Sequence, residues 1–340
     1  MRRPILAMML GLAILATALA ASASGAPSAA GSSADTRLSL VAYSTPREAY
    51  AKLISNFGKA PEGDGVSFTQ SYGSSGEQAR AVKAGLRADI VALSLAPDVD
   101  ELVKAGLVDA NWKKQSFKGM VTDSLVVFMV RDGNPKKIKS WNDLLRPDVD
   151  VVTPNPFTSG GARWNVMAAY GAWRKAGKTD KQAQDNLLKL FRNVVVQDKS
   201  ARDSLNTFVS GKGDVLLGYE NEAIFANLKG QDIPYVIPKA TILIENPIAV
   251  TKGSENKEKA NQFLRFLRTP ASQQVFADNG YRPVVKSVLE KNRKKFPVRP
   301  GEFTIDQLGL GGWEKVQKRF FDPKSGIMAR IERQVGGVTG

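Results

Sequence analysis

Two short glycine–serine runs contain the residue types in this chain that could hold an anion. The runs are Gly73-Ser74-Ser75-Gly76 and Thr158-Ser159-Gly160-Gly161, and each lies between a strand-like and a helix-like segment. The start of a helix exposes backbone N–H groups without an intrahelical partner and carries the positive end of the helix dipole. Glycine lets a ligand approach this backbone closely, and serine adds a hydroxyl donor. A single run of this kind is usually only a helix cap, but two runs in separate parts of the chain favour an anion site.

The residue types that are missing exclude several kinds of chemistry. The 340 residues include no cysteine and no histidine. Disulfides, thiolate chemistry and lipid attachment to cysteine are therefore excluded, as are catalytic pairs that need histidine. No Ser-x-x-Lys or Gly-x-Ser-x-Gly signature includes Ser75 or Ser159, which argues against a serine enzyme. We expect no catalytic residue, no metal and no cofactor, and we predict that the chain is not an enzyme.

The amino-terminal segment has the pattern of a secretory signal peptide. Within residues 1–23, Arg2 and Arg3 precede the apolar run Ile5–Leu19, and small residues follow it. Residues 24–36 are rich in Ala, Ser and Gly, which predicts a flexible leader. No other stretch is long and apolar enough to span a membrane. We therefore expect an exported, periplasmic protein.

The overall composition is that of a globular protein of about two domains, with 43% hydrophobic and 24% charged residues. The formal net charge is +15. Lys and Arg are spread along the chain and mixed with acids, which disfavours nucleic-acid binding. A polyanion-binding surface protein remains an alternative that rests only on this charge.

Strand-like and helix-like segments alternate over most of the chain, which predicts an α/β fold with largely parallel sheets. Thr45, Pro46 and Glu48 predict a capped helix start with a capping box, and Pro247 is expected to break the extended segment Thr241–Val250. At helical spacing, Val166, Tyr170 and Trp173 are expected to face a core. The predicted strands are Leu38–Tyr43, Val66–Gln70, Ile90–Leu95, Leu125–Val130, Val149–Thr153, Val194–Gln197 and Asp214–Leu217; predicted helices include 77–84, 162–176 and Lys257–Leu267.

The turn that follows Leu125–Val130 predicts a domain crossing, and the extended segment Thr241–Val250 predicts a return. Lobe 1 is then 37–128 together with 246–340, and lobe 2 is 129–245. One domain interrupted by another and joined by two crossings is the layout of a hinged clamp.

Seven stretches of the chain match a known family. The chain resembles the sulfate-binding proteins of bacterial ABC importers, which have the type II periplasmic binding protein fold. The resemblance covers nearly the whole chain after the leader. The matching stretches are QSYGSSGEQA at 70–79, ADIVALSL at 88–95, NPFTSGGARWNVMAA at 155–169, DKSARDSLNTF at 198–208, GDVLLGYENEA at 213–223, NGYRPVV at 279–285 and FTIDQLGLGGW at 303–313.

The resemblance implies a set of ligand-binding residues. In that family a dehydrated anion is held between two lobes by uncharged donors, chiefly backbone N–H groups at helix starts. Two positions depart from the family pattern: Tyr219 stands for a tryptophan that donates through its indole N–H, and Ser44 stands for an aspartate. The implied ligand-binding residues are Ser44, Ser75, Ser159 with its hydroxyl, Gly160, Gly161, Ala201 and Tyr219.

The resemblance also implies a function and partners. We expect a monomer that binds sulfate in the periplasm and delivers it to the permease of an ABC importer in the inner membrane by hinge closure. Thiosulfate or another tetrahedral oxyanion is the alternative main ligand. Arg163 and Arg202 are expected to bond carboxylates or loop carbonyls rather than the anion.

The residues themselves leave the choice of ligand open. A site made only of donors suits the fully deprotonated sulfate ion, whereas phosphate keeps a proton and favours an acceptor. The carboxylates nearest in sequence to the proposed donors are Glu77, Asp198, Asp203 and Glu220, and one of them pointing inward would favour phosphate. A metal-binding clamp that uses Tyr43, Tyr72 and Tyr219 is a further alternative, although no histidine accompanies them.

Overall fold

The structure is a computed structural model that describes residues 36–339. The predicted signal peptide and the leader before residue 36 lie outside the described residues. Among the helices that the structure describes, none is long and apolar enough to cross a membrane.

Helices and strands alternate along the chain, which confirms the predicted α/β class. The strands are β1 (Thr36–Tyr43), β2 (Val66–Gly73), β3 (Ile90–Ala92), β4 (Met120–Val130), β5 (Val151–Pro154), β6 (Val194–Asp198), β7 (Val215–Tyr219), β8 (Tyr235–Val236), β9 (Thr241–Val250), β10 (Arg282–Pro283) and β11 (Glu302–Phe303). The helices are α1 (Arg47–Phe57), α2 (Ser75–Lys83), α3 (Ala96–Lys104), α4 (Gly160–Lys175), α5 (Asp180–Arg192), α6 (Ala201–Val209), α7 (Glu220–Leu228), α8 (Lys257–Leu267), α9 (Pro270–Asp278), α10 (Lys286–Lys291), α11 (Gly312–Phe321) and α12 (Ile327–Val335).

The strands form a mixed sheet in the order β2-β1-β3-β9-β4-β7-β5-β6. β1 is parallel to β2 and β3, and β5 is parallel to β6 and β7. The strands β4 and β9 join these two parallel groups. They are antiparallel to each other, while β9 also pairs with β3 and β4 also pairs with β7. The first crossing is predicted at the turn after β4 and the return within β9; the crossings and the lobe boundaries stay a prediction.

Two local expectations were wrong. The first residue of α1 is Arg47, and Thr45 does not cap it, because the Thr45 hydroxyl lies 2.9 Å from the Tyr281 hydroxyl. Pro247 does not break β9, which continues through it opposite Met120 at a register shift of β4. Such an irregularity accommodates a residue that has no N–H to donate.

The long helix α4 packs in the largest hydrophobic core. Its side chains Val166, Tyr170 and Trp173 are each at most 2% exposed, as their spacing predicts. The same core includes apolar residues of α5, α11 and α12. The carboxy-terminal helices therefore pack with α4 and α5, although the sequence assigns 246–340 to lobe 1.

Candidate functional site

A small cavity lies where several strands end and several helices begin. All seven residues that the sequence singles out line it, so the structure brings together parts of the chain as distant as Ser44 and Tyr219. The lining residues are Tyr43, Ser44, Ser74, Ser75, Ser94, Ser159, Gly160, Gly161, Ala201 and Tyr219. None of these side chains carries a charge.

Among the backbone amides around the cavity, five that belong to residues singled out from the sequence have no acceptor within residues 36–339. Those of Ser75, Gly160, Gly161 and Ala201 belong to the first turns of α2, α4 and α6, where N–H groups lack an intrahelical partner. The fifth is the amide of Ser44, directly after β1. Three helix starts therefore direct free N–H groups and positive dipole ends to one cavity, which is an arrangement that favours an anion.

Ser159 contributes its side chain rather than its backbone. Its amide donates to the carbonyl of Asn155 at 2.9 Å. Its hydroxyl does not cap α4 and makes no hydrogen bond in the described part of the chain, although the residue is only 2% exposed. A hydroxyl without a protein partner is free to donate to a ligand in the cavity.

A buried ion pair fixes the α2 side of the cavity. The Ser75 hydroxyl donates to one oxygen of Asp98 at 2.5 Å and accepts from the Ser94 amide at 2.9 Å. Arg163 donates to the other Asp98 oxygen at 3.0 Å and to the carbonyl of Pro156. The hydroxyl hydrogen of Ser75 is thus committed to Asp98, so the residue can donate to the cavity only through its backbone amide.

Arg202 has the same kind of supporting role. Its guanidinium bonds both carboxylate oxygens of Glu222 and both of Glu48, and it donates to the carbonyl of Thr45 at 2.9 Å. Burial lowers the pKa of the Arg202 guanidinium, but the two carboxylates outweigh burial and hold this pKa above its usual range. The guanidinium in turn holds the pKa of the Glu48 carboxyl below its usual range, despite partial burial. The expectation that Arg163 and Arg202 bond carboxylates and carbonyls is confirmed.

The two glycines of the second run allow close packing around the cavity. A Cβ atom on Gly160 would lie 2.2 Å from Leu95 Cδ2 and 2.5 Å from Ser94 Oγ. A Cβ atom on Gly161 would lie 2.8 Å from Tyr219 Cε2. Side chains at these two positions would therefore separate α4 from the segment after β3 and from the end of β7.

Tyr219 lies at the end of β7 and contacts Ser94, and both residues line the cavity. The two hydroxyl oxygens are 2.6 Å apart. Burial raises the pKa of the Tyr219 phenol well above its usual range, so the phenol keeps its proton at neutral pH. Nearby Tyr43 also lines the cavity, with its ring centroid 6.2 Å from that of Tyr219.

The four carboxylates that could have favoured phosphate have other partners. Glu77 accepts from the Ser74 hydroxyl at 2.6 Å, and Asp203 accepts from the Ser200 hydroxyl at 2.7 Å. Asp198 accepts from Thr207, and Glu220 forms a buried ion pair with Arg282. No carboxylate lines the cavity. Tyr72, named for the metal alternative, also lies outside the lining and bonds Gln70.

Three lining residues are outside the seven implied ligand-binding residues: Ser74, Ser94 and Tyr43, which the sequence named only for the metal alternative. Ser74 belongs to the first glycine–serine run, so its place was available from the same argument as Ser75. Ser94 follows β3, and β3 is the parallel neighbour of β1, whose end carries Ser44. Ligands of open α/β sheets bind outside the carboxyl ends of the strands, and this rule could have found both Tyr43 and Ser94.

The mixed α/β fold, with a cavity at the strand ends, defines a solute-binding protein of the periplasmic type. The chain belongs to the bacterial extracellular solute-binding protein family, whose model matches residues 38–282.

Similar proteins of known name agree with this family. A sulfate-binding protein of Synechocystis sp. is 41% identical over 90% of this chain and 89% of its own length. The solved structure of the sulfate-binding protein SubI from Mycobacterium tuberculosis is 40% identical, with a TM-score of 0.81 over 84% of this chain and 100% of that one. A thiosulfate-binding protein of Pseudomonas aeruginosa is 35% identical over 83% of this chain and 88% of its own length.

Proposed function

We propose that this protein binds sulfate in the cavity between α2, α4 and α6. The sulfate-binding relatives, similar along nearly their whole length, support this ligand. The proposed ligand-binding residues are Ser44, Ser75, Ser159, Gly160, Gly161, Ala201 and Tyr219.

The observation that carries the proposal is that uncharged hydrogen-bond donors line the cavity. Five free amides and the Ser159 hydroxyl face a space that no carboxylate lines. Sulfate has no proton at neutral pH and can only accept hydrogen bonds, so each donor is used. Phosphate keeps a proton, and the lining offers no carboxylate to accept it. Each hydrogen bond to a charged ligand contributes about 1.5–3 kcal/mol.

We propose further that the protein works in the periplasm and passes the anion to the permease of an ABC importer. The pattern of residues 1–23 supports export. Two segments, β4 and β9, would act as the hinge between lobes 37–128 with 246–340 and 129–245. Closure would be held by contacts across the cavity, such as Gly76 N–H to the Thr158 carbonyl at 3.0 Å and Ser94 to Tyr219.

The protein would act as a monomer and as a carrier rather than an enzyme. Because the chain has no histidine and no cysteine, the cavity has no nucleophile paired with a histidine general base and no thiol nucleophile. The relatives reported above are named as binding proteins, which supports the same conclusion.

Thiosulfate is the second candidate ligand. One of its terminal atoms is sulfur, a weaker hydrogen-bond acceptor than oxygen, so it needs fewer strong donors. The phenol of Tyr219, where the family resemblance places an indole donor, already contacts Ser94. A site with one altered donor is compatible with this anion, as is the similarity to a thiosulfate-binding relative.

The test is a calorimetric titration of the dialysed protein without its signal peptide, using sulfate, thiosulfate, phosphate and molybdate in separate runs. One-to-one binding of sulfate, with weaker or no heat from the other anions, supports the proposal. Tighter binding of thiosulfate supports the second candidate. The absence of heat from both sulfur oxyanions would refute both.

A further inference from the structure

A second cavity lies between α5, α11 and α12 and shares no residue with the first. It is open, with a volume of about 460 Å³. Four cationic side chains line it together with two polar ones, so this cavity is positively charged, whereas the first cavity is uncharged. These six residues are Lys315, Lys318, Arg319, Arg330, Gln184 and Ser325.

Most of this positive charge has no carboxylate partner. Arg319 pairs with Asp180 at 2.5 Å. Within residues 36–339, Lys315, Lys318 and Arg330 form no ion pair. The carboxylate of Asp322 accepts from the amides of Lys324 and Ser325 and from the Ser325 hydroxyl, and it forms no ion pair in the described part of the chain.

The spacing of three of these residues along α11 brings their positive charges close together. Lys315, Lys318 and Arg319 lie three and four residues apart on α11, so they share one face of the helix. Arg330 lies on α12, which packs against α11, and its guanidinium donates to the Ser325 carbonyl at 2.6 Å. Like charges at such spacing destabilise a helix, and a bound anion would relieve this repulsion.

From this cavity we infer a second anion site that binds a phosphoryl or pyrophosphoryl group with at least two negative charges. Lysine attracts such a group as a point charge, and arginine offers a fork of donors that matches two phosphate oxygens. Three cations without partners require a ligand of more than one charge. A free phosphorylated anion and the phosphomonoester headgroup of phosphatidic acid both carry this group.

Salt dependence separates this site from the uncharged cavity. Exposed charges are screened within about 10 Å at 0.1 M salt, whereas buried hydrogen bonds are screened far less. Binding at the cationic cavity is therefore expected to disappear in about 0.5 M NaCl, while sulfate binding persists. The two sites also differ in the variants that affect them.

The experiment titrates inorganic pyrophosphate into the protein at low ionic strength, with and without a saturating amount of sulfate. The test variant is Lys315→Gln/Lys318→Gln/Arg330→Gln. The matched control, Lys291→Gln/Arg293→Gln/Lys294→Gln, removes the same charge from another basic segment. We expect one pyrophosphate site in the presence of sulfate, weakened at least about tenfold in the test variant and little changed in the control.

A second arm measures co-sedimentation with phosphatidylcholine vesicles that contain or lack phosphatidic acid. Pyrophosphate binding that is lost in the test variant identifies a free phosphorylated anion as the ligand. Sedimentation that needs phosphatidic acid and is lost in the same variant, without pyrophosphate binding, identifies a lipid headgroup. No binding in either arm, or an equal loss in the control variant, overturns the inference. Sulfate affinity, measured in the same variants, tests the proposed function separately.

Discussion

The hydroxyl oxygen of Ser94 lies 2.6 Å from the phenolic oxygen of Tyr219, and both residues line the uncharged cavity. Either hydroxyl can donate to the other, and only one hydrogen is used in this bond. The pair therefore keeps one O–H hydrogen, which can face the cavity whichever residue donates. The two residues belong to distant parts of the chain, one after β3 and the other at the end of β7.

This shared hydrogen bond predicts that either residue can substitute for the other. Tyr219→Phe leaves the Ser94 hydroxyl free to donate to the anion, so we expect sulfate affinity to fall by less than about tenfold. Ser94→Ala leaves the Tyr219 phenol free and should behave alike. The double variant loses both donors and should lose more than the two single effects combined, as calorimetry can measure. Additive effects would contradict the shared role.

Ser159→Ala tests the hydroxyl that has no partner in the described structure. Because this hydroxyl would donate to a buried anion, we expect sulfate affinity to fall about ten- to a hundredfold. Thermal unfolding of the ligand-free protein should change little, since no protein hydrogen bond is lost. Ser55→Ala, on the exposed face of α1, is the matched control. Unchanged affinity in Ser159→Ala would refute the assignment of its hydroxyl.

Gly160→Ala tests the close approach of α4 to the segment after β3. The added Cβ atom would lie 2.2 Å from Leu95 Cδ2, and the simplest relief is a wider separation across the cavity. We expect sulfate affinity to fall at least about a hundredfold, because several donors move away from the anion together. Calorimetry measures this effect.

The control for Gly160→Ala is Gly253→Ala, where an added Cβ atom meets no heavy atom within 4 Å. This variant should bind sulfate as the unaltered protein does. Circular dichroism distinguishes a wider cavity from a failure to fold. If folded Gly160→Ala binds normally, close packing at this position is not required for the anion.

Local patterns in the sequence were enough to predict several elements. The bounds of α8 are those expected from the spacing of Phe263, Leu264 and Leu267, because its apolar face alone defines it. The cavity at the helix starts also followed from local residue types at Ser75 and Gly160, combined with a family resemblance. In each case the residues that matter are neighbours in the chain.

The features that the sequence did not predict depend on contacts between residues that are distant in the chain. Thr45 has the sequence pattern of a helix cap, but its hydroxyl contacts Tyr281, which lies 236 positions later. The role of Ser94 depends on which strand pairs with β1, and that pairing is not local. The packing of α11 and α12 with α4 and α5 likewise requires the arrangement of the whole core.

The connecting strands β4 and β9 hold a group of carboxylates that should make stability depend on pH. Asp123 on β4 lies directly opposite Glu245 on β9, and it also pairs in register with Arg282 on β10. Glu302 on β11 approaches the same arginine at 4.0 Å. Burial, followed by repulsion from Glu245 and Glu302, raises the pKa of Asp123 well above its usual range, despite Arg282. Burial also raises the pKa values of Glu245 and Glu302.

A carboxyl group with a raised pKa in the folded state binds its proton more tightly there than in the unfolded chain. Its contribution to stability is therefore full below the unfolded pKa, about 3.9 for aspartate, and is lost as the pH rises through the folded value. Asp123→Asn cannot ionise. We expect this variant to gain stability relative to the unaltered protein as the pH rises from about 4 to about 8, measured by urea unfolding at several pH values. Asp64→Asn, at an exposed position, should show no such gain. A constant difference between Asp123→Asn and the unaltered protein at every pH would show that the Asp123 carboxyl does not titrate with a raised pKa.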